Sequence, residues 1–301
     1  MRLIPSIAGC VSCLFDNCGS SLFTHTILFF VACPHLTRVF TKKVRLDKIQ
    51  IFPIKSLDGV SLSQVRITSG GILENDRGWA IFDEAGRVVN GKRTARVHEL
   101  RCVYDESFQE VCIWQNQDTT RAQFPLAEPA RLAEWLGEYF GFRVEVRRDP
   151  TKGFPDDHAA FGPTIVSRAS LQCIQTWFPE LTVESLRSRF RANLELDDCE
   201  AFGEDRLFGA PDELKPFRVG TVGFFGHNPC QRCVVPTRDP QTGQPVTDFQ
   251  KKFMEQRKKL LPPWANAQRF NHFYRFAINT SILPSQADKI LRVGDVVELT
   301  A

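Results

Sequence analysis

Neither sign of charge dominates this chain: 38 Lys and Arg stand against 35 Asp and Glu, a formal net charge of +3 over 301 residues. A nucleic-acid partner needs a basic face that neutralises many phosphates, so that class is excluded as the main function. No internal repeat or low-complexity tract is present, which excludes a repeat architecture. The apolar stretch at residues 22–33 is interrupted by Thr24, His25 and Thr26. It is shorter than the roughly 20 residues of a spanning helix, which leaves membrane association open. The ten cysteines, at 10, 13, 18, 33, 102, 112, 173, 199, 230 and 233, show neither disulfide-scaffold nor iron–sulfur spacing. The folded part is therefore expected in a reducing compartment. No cysteine follows Cys233, and with 68 residues remaining no ferredoxin-like domain is expected there.

What is present suffices for a full core: 43% of the residues are hydrophobic, and the length suits two domains. Residues 1–43 stand apart, with Arg2, Arg38, Lys42 and Lys43 against the single acid Asp16. They form either a targeting segment, which would place the protein in a mitochondrion or plastid, or an unstructured extension of a cytoplasmic protein. The expected division is an extension at 1–43, a β-rich domain at 44–145 and a second domain at 146–301.

From residue 44 apolar residues alternate between turn signals, the mark of half-buried strands. One strand runs through Ile49 and Ile51, a second is expected over 60–68, and residues 79–90 read as a hairpin about Gly86. A further hairpin is expected from 100–104 and 110–114, and another at the end from 290–293 and 296–299. Helices are expected at 129–140, stopped by Gly141, from an N-cap at Ser167, and at about 247–261 before Pro262-Pro263. The last carries Lys251, Lys252, Arg257, Lys258 and Lys259, read first as a solvated face and second as a docking surface. The fold class is mixed α/β, β-rich and barrel-like, with a few flanking helices.

The most informative run is His227-Asn-Pro-Cys230-Gln-Arg232-Cys233-Val-Val-Pro-Thr237-Arg238-Asp239-Pro-Gln-Thr-Gly243. It sets two soft sulfur ligands beside arginines. Cationic neighbours favour a thiolate, the nucleophilic and metal-binding form, and arginine suits bidentate phosphate binding. Zinc would need a second pair such as Cys10 and Cys13, far away in sequence. A thioredoxin-like pair would open a helix, whereas Val234-Val235-Pro236 points to a strand or turn.

Smaller signals lie elsewhere. Lys55-Ser56 follows a strand and could hold a phosphate, and Arg77 heads another strand after Asp76. Arg191 and Asn193 are expected on one side of a strand, where they could meet an anion or heterocycle, while Arg187 and Arg189 read as solvated. Glu204-Asp205-Arg206 is either a source of a general base or a fixing element for Arg191 or Arg206.

Together these segments resemble the MOSC family, named for the C-terminal domain of the molybdenum cofactor sulfurase. The resemblance covers residues 44–299, including a MOSC N-terminal β-barrel part. It rests on three pieces in the same order: Phe52-Pro-Ile-Lys55-Ser56 with Asp76-Arg77, Arg189-Phe-Arg191-Ala-Asn193, and the cysteine run. Within the family it points to the mitochondrial amidoxime-reducing component and its bacterial counterparts. Ala192 departs from the proline usual in that branch, and the rest is similar to cyanobacterial-type MOSC proteins.

The resemblance implies a molybdenum cofactor, with Cys233 as catalytic residue and metal ligand. Lys55, Ser56, Arg77, Arg191 and Asn193 would hold the pterin and its phosphate, with Arg232 beside the ligand. Molybdenum takes sulfur from the pterin dithiolene and from a thiolate. The implied reaction is reduction of small N-hydroxylated compounds by electrons from a separate cytochrome b5 or ferredoxin-type donor. The alternative is a sulfur-carrier or cofactor-handling protein with a persulfide on Cys230 or Cys233. Pyridoxal phosphate attaches to the family only in general, and no Schiff-base lysine stands out in this sequence.

Overall fold

The computed structural model describes residues 43–299. Nearly all of the expected extension, with Cys10 and Cys13, therefore lies outside the described residues. Leu46, Ile49 and Ile51 are buried and the residues between them less so, which commits the first described segment to a half-buried strand. In chain order the strands are β1 Arg45–Ile51, β2 Val60–Leu62, β3 Gln64–Arg66, β4 Trp79–Asp83, β5 Leu100–Tyr104, β6 Glu110–Gln115, β7 Ala122–Pro125 and β8 Val144–Arg148. They continue as β9 Ile165–Ser167, β10 Leu194–Asp197, β11 Lys215–Val219, β12 Val222–Gln231, β13 Arg275–Ser281, β14 Ile290–Arg292 and β15 Val297–Leu299. The helices are α1 Pro129–Phe140, α2 Arg168–Trp177, α3 Val183–Phe190 and α4 Phe249–Lys259.

The class is mixed α/β and strand-rich, as the sequence predicts. One eight-stranded sheet has the order β15-β11-β12-β13-β9-β10-β1-β2, mostly antiparallel, with β9 and β10 parallel. Among the described residues no ladder joins its two edges into a closed barrel, but a bridge links Arg45, at the start of β1, to Val296, just before β15. Pro229, Ile278, Ile165, Leu194 and Ile49 fall in one register row across five strands. The adjacent row is polar. It carries Asn228 against Asn279, and Thr164, Asn193 and Gln50 joined by backbone hydrogen bonds.

Three apolar clusters support this frame. One fills the large sheet from Leu46 to Leu291. A second packs α1 on the strands β4 to β8. The third is aromatic, with Phe178, Phe190, Phe249, Phe253 and Phe276 joining α2, α3 and α4 to the sheet.

Local signals place several elements well. Pro129 opens α1 and Gly141 closes it with φ 79°. The Ser167 side chain accepts from Ser170 N, capping α2. The departures come from long-range pairing. The run at 60–68 is cut at Ser63, because β2 pairs with β1 while β3 pairs with β14. The expected terminal hairpin does not form: β14 goes to β3 and β15 to β11. After Gly86 the returning arm makes one bridge, Phe82 to Val88, and the ladder partner of β4 is β8. The basic helix is not uniformly solvated either, since Arg257 is fully buried and paired with Asp205.

Candidate functional site

The segment leaving β1 carries the first site residues. Asp76 is buried; its Oδ1 accepts from Phe52 N at 2.8 Å and its Oδ2 pairs with Arg77 Nη1 at 2.6 Å. That pair fixes the guanidinium of Arg77, which also donates to Asn193 Oδ1 at 3.2 Å. Lys55 is buried as well and donates to Phe154 O at 2.7 Å and Pro155 O at 3.0 Å, with Asp156 at 3.1 Å. Burial holds its pKa below the usual lysine range, opposed by Asp156.

Ser56, Arg77 and Arg191 all adopt left-handed backbone, with φ 76°, 49° and 52°. Non-glycine residues rarely do so, and such positions gather at binding sites where the surroundings hold them. Arg191 is not on a strand, contrary to the sequence expectation. It is the C-cap of α3, and β10 begins at Leu194, after Asn193. Its guanidinium stacks on Phe52, 4.0 Å from the ring centre, and donates to Leu57 O at 2.7 Å. Burial, helped by Arg77, lowers its pKa to about 10, so it stays charged at neutral pH. Asn193 is buried in a network, donating to Gln50 O and accepting from Arg77 and Thr164.

The cysteine run leaves the sheet at the end of β12. Register slips twice there, between Gly226 and Asn228 and between Pro229 and Gln231, which bends the strand and re-aims its end. Cys230 is the penultimate residue of the strand, Cys233 follows in the loop, and a 3-10 turn, Val235–Thr237, comes next. Arg189 is buried and donates to Pro236 O at 3.3 Å and to Arg238 O, so it staples this loop and is not the solvated residue its sequence suggests. Arg187 forks onto Glu195 at 2.6 and 2.7 Å. Arg232 donates to Cys230 Sγ at 3.3 Å and to Phe190 O.

A cavity of about 1100 Å³ brings these pieces together. Lys55, Ser56, Arg77, Arg191, Asn193, Arg232 and both cysteines of the run line it. Thirteen Lys and Arg stand against six Asp and Glu in its walls, which suits an anionic ligand. Residues with no clear sequence signal also contribute, among them His98, Arg101, Asp156, Arg269 and Arg275. Burial, then the charges of Arg238 and Arg191, lower the pKa of His98 to about 4. Its Nε2 is buried without a partner, as are Arg101 Nε and Arg232 Nε. Glu204 and Asp205 are absent from these walls; Asp205 pairs with Arg257, and Arg206 with Glu200. Among the described residues no three His, Cys, Asp or Glu side chains converge to hold a metal on their own.

Residues 43–138 match the family described as the MOSC N-terminal beta barrel domain, and residues 157–298 match the MOSC domain. The human mitochondrial amidoxime reducing component 2 is 23% identical over 256 residues, 72% of this chain and 73% of its own. The Xenopus laevis mitochondrial amidoxime-reducing component 1 is 21% identical over 299 residues, 84% of this chain and 81% of its own. The molybdenum cofactor sulfurase of Drosophila willistoni is 26% identical over 244 residues, 69% of this chain and 29% of its own length. The chain belongs to the MOSC family, with a MOSC N-terminal β-barrel domain followed by a MOSC domain.

Proposed function

We propose that this protein is a molybdenum-cofactor oxidoreductase that reduces small N-hydroxylated compounds. The observation that carries the reading is the single cavity that joins a cationic wall to the thiols of Cys230 and Cys233. Relatives named for amidoxime reduction, and others named for the molybdenum cofactor, support it.

The residues fit the group. The buried guanidinium nitrogens without partners, Arg101 Nε and Arg232 Nε, together with the charge of Arg191, suit a pterin that carries a phosphate. Lys55, Ser56, Arg77 and Arg191 would hold it, with Asn193 setting the direction of Arg77. Among the described residues no cluster of protein ligands is at hand, so the metal would arrive with its own sulfur donors and take one thiolate here, from Cys233. When bound, the cofactor supplies two-electron removal of oxygen.

The substrate R–NH–OH takes up two electrons and two protons, the N–O bond breaks, and R–NH2 and water leave. The electrons come singly from a separate carrier protein of the cytochrome b5 or ferredoxin type. Pyridoxal phosphate has no supporting feature here: a Schiff base needs a neutral lysine amine, and Lys55 is held as an ammonium against Asp156. The deciding experiment is metal and pterin analysis of protein made in a cofactor-competent host, with amidoxime turnover driven by a reduced viologen dye. Bound cofactor and turnover support the reading. Protein with neither, but with a persulfide on a cysteine, would replace it by sulfur carriage.

A further inference from the structure

The cavity is more cationic than one phosphate requires. Arg77, Arg101, Arg187 and Arg189 each have a carboxylate partner. Arg191, Arg232, Arg238, Arg269 and Arg275 form no ion pair with another described residue, yet all line the same walls. Arg191 and Arg238 flank His98 and belong with the proposed phosphate. Arg269 and Arg275 belong elsewhere.

Arg275 opens β13 directly across the ladder from Gln231, the residue after Cys230. Its Nη1 donates to Pro229 O at 2.9 Å, and its Nε and Nη2 grip Asn271 Oδ1 at 3.2 and 2.8 Å. Arg269 donates to Gly209 O and Glu213 O, both at 3.3 Å. Neutral oxygens thus hold both side chains in place and leave N–H donors free on both terminal nitrogens of each. Burial keeps the Arg275 guanidinium below its usual range, opposed by Cys230 and reinforced by Arg269. The acid in this part of the cavity, Asp157, accepts from Asn279 and pairs with neither arginine. Two oriented, half-buried cations beside the thiol loop have no carboxylate within ion-pair distance among the described residues, and a planar carboxylate matches the arginine fork.

We infer that Arg269 and Arg275 form a carboxylate-binding mouth beside the cysteine loop, so that the preferred substrate is an N-hydroxylated compound bearing an acidic group. The substrate part rests on the reductase reading above; the binding part does not. The test compares an aryl amidoxime carrying a para-carboxylate with its neutral para-carboxamide twin, driven by a reduced viologen dye. The carboxylate should be favoured in kcat/KM by about tenfold, the size expected of one charge-assisted contact. That ratio should fall towards one in Arg275→Met and in Arg269→Gln, and be kept only in part in Arg275→Lys, whose ammonium retains the charge but not the fork.

Calorimetry with the two product amidines reads the same preference without turnover. It also serves if Arg275→Met fails to fold, since Arg269→Gln reports independently. A wild-type ratio near one in both assays overturns the inference. Should neither amidoxime be reduced, the reductase reading fails, and the calorimetry still decides whether this mouth selects a carboxylate.

Discussion

Arg232 donates from Nη1 to Cys230 Sγ at 3.3 Å, so the arginine between the two cysteines serves the first of them. Cys230 thereby has a local structural partner. Cys233, half-buried in the same wall, has no hydrogen bond to its sulfur from the described residues. The proposed ligand is Cys233, on the family motif and because no hydrogen bond from the described residues engages its sulfur.

Cys233→Ser should therefore abolish amidoxime reduction and change the metal spectrum. Cys230→Ser should retain most activity, because a hydroxyl can still accept from Arg232. Steady-state rates and metal spectra of the two variants decide the matter. Equal loss in both would contradict the assignment of Cys233 as ligand.

Arg191 and Asn193 should separate cofactor binding from folding. Arg191 is charged, stacked on Phe52 and held to one carbonyl, so Arg191→Ala should fold. Loss of a charge facing a desolvated phosphate costs about 2–5 kcal/mol, more than tenfold in affinity, so that variant should purify largely without pterin. Asn193→Ala removes the partner of Gln50 O and of Thr164 N and should cost about 1–3 kcal/mol of stability as well. Pterin content and thermal melting measure the two effects. Full pterin in Arg191→Ala would refute its role.

How much of this was legible depended on the range of the interaction. Pro129 and Gly141 bracket α1 within one local run, and β5 and β6 meet across a short turn, so both can be read from neighbouring residues. β14 and β15 look alike as a terminal hairpin, but their partners, β3 and β11, are chosen by the shared core and by no local signal. Arg257 lies in a basic run, and its partner Asp205 is 52 residues away. The site residues could be named only as a motif. Their convergence depends on register across five strands and on three left-handed backbone positions, neither of which composition or periodicity encodes.

Arg257 gives a sharp contrast with its neighbour. Its side chain is 0% exposed, paired with Asp205 and stacked 4.0 Å from the centre of Phe202, whereas Lys258 is exposed. Arg257→Met leaves Asp205 buried and unpaired and should cost about 3–5 kcal/mol. Lys258→Met should stay within about 0.5 kcal/mol of the parent. Urea denaturation of both variants checks this, and similar midpoints would show that the buried pair contributes nothing.

Glu204 should tie stability to pH. It is buried, accepting from Ser170 Oγ at 2.8 Å through one carboxyl oxygen while the other has no partner. Burial first, and the Asp205 charge second, push its pKa up to about 7. The native state therefore holds this proton more tightly than the unfolded chain does. The group costs nothing below the ordinary carboxylate range; the cost grows as pH rises through that range towards 7 and then levels off. Between pH 5 and about 8 the parent should lose stability relative to Glu204→Gln. Parallel pH profiles for the two proteins would rule this out.

Electron supply is the last expectation, and it turns on the exposed face of α4. Among the described residues no cluster of cysteines converges that could hold an iron–sulfur centre, and the proposed source of the two electrons is a separate carrier protein. Lys251, Lys252, Lys258 and Lys259 are exposed on α4, while Phe249, Phe253 and Arg257 face inward and anchor it. A rigid helix presenting four cations suits an acidic carrier such as a cytochrome b5 or a ferredoxin, because complementary charge speeds encounter more than it tightens binding. The purified protein with NADH or NADPH alone should leave an amidoxime untouched, and adding the carrier with its reductase should start turnover. The rate should fall as salt rises, since exposed charges are screened within about 10 Å at 0.1 M salt. Replacing the four lysines by glutamine should slow carrier-driven turnover and leave viologen-driven turnover unchanged. Turnover with a pyridine nucleotide and no second protein would show that electrons enter by another route.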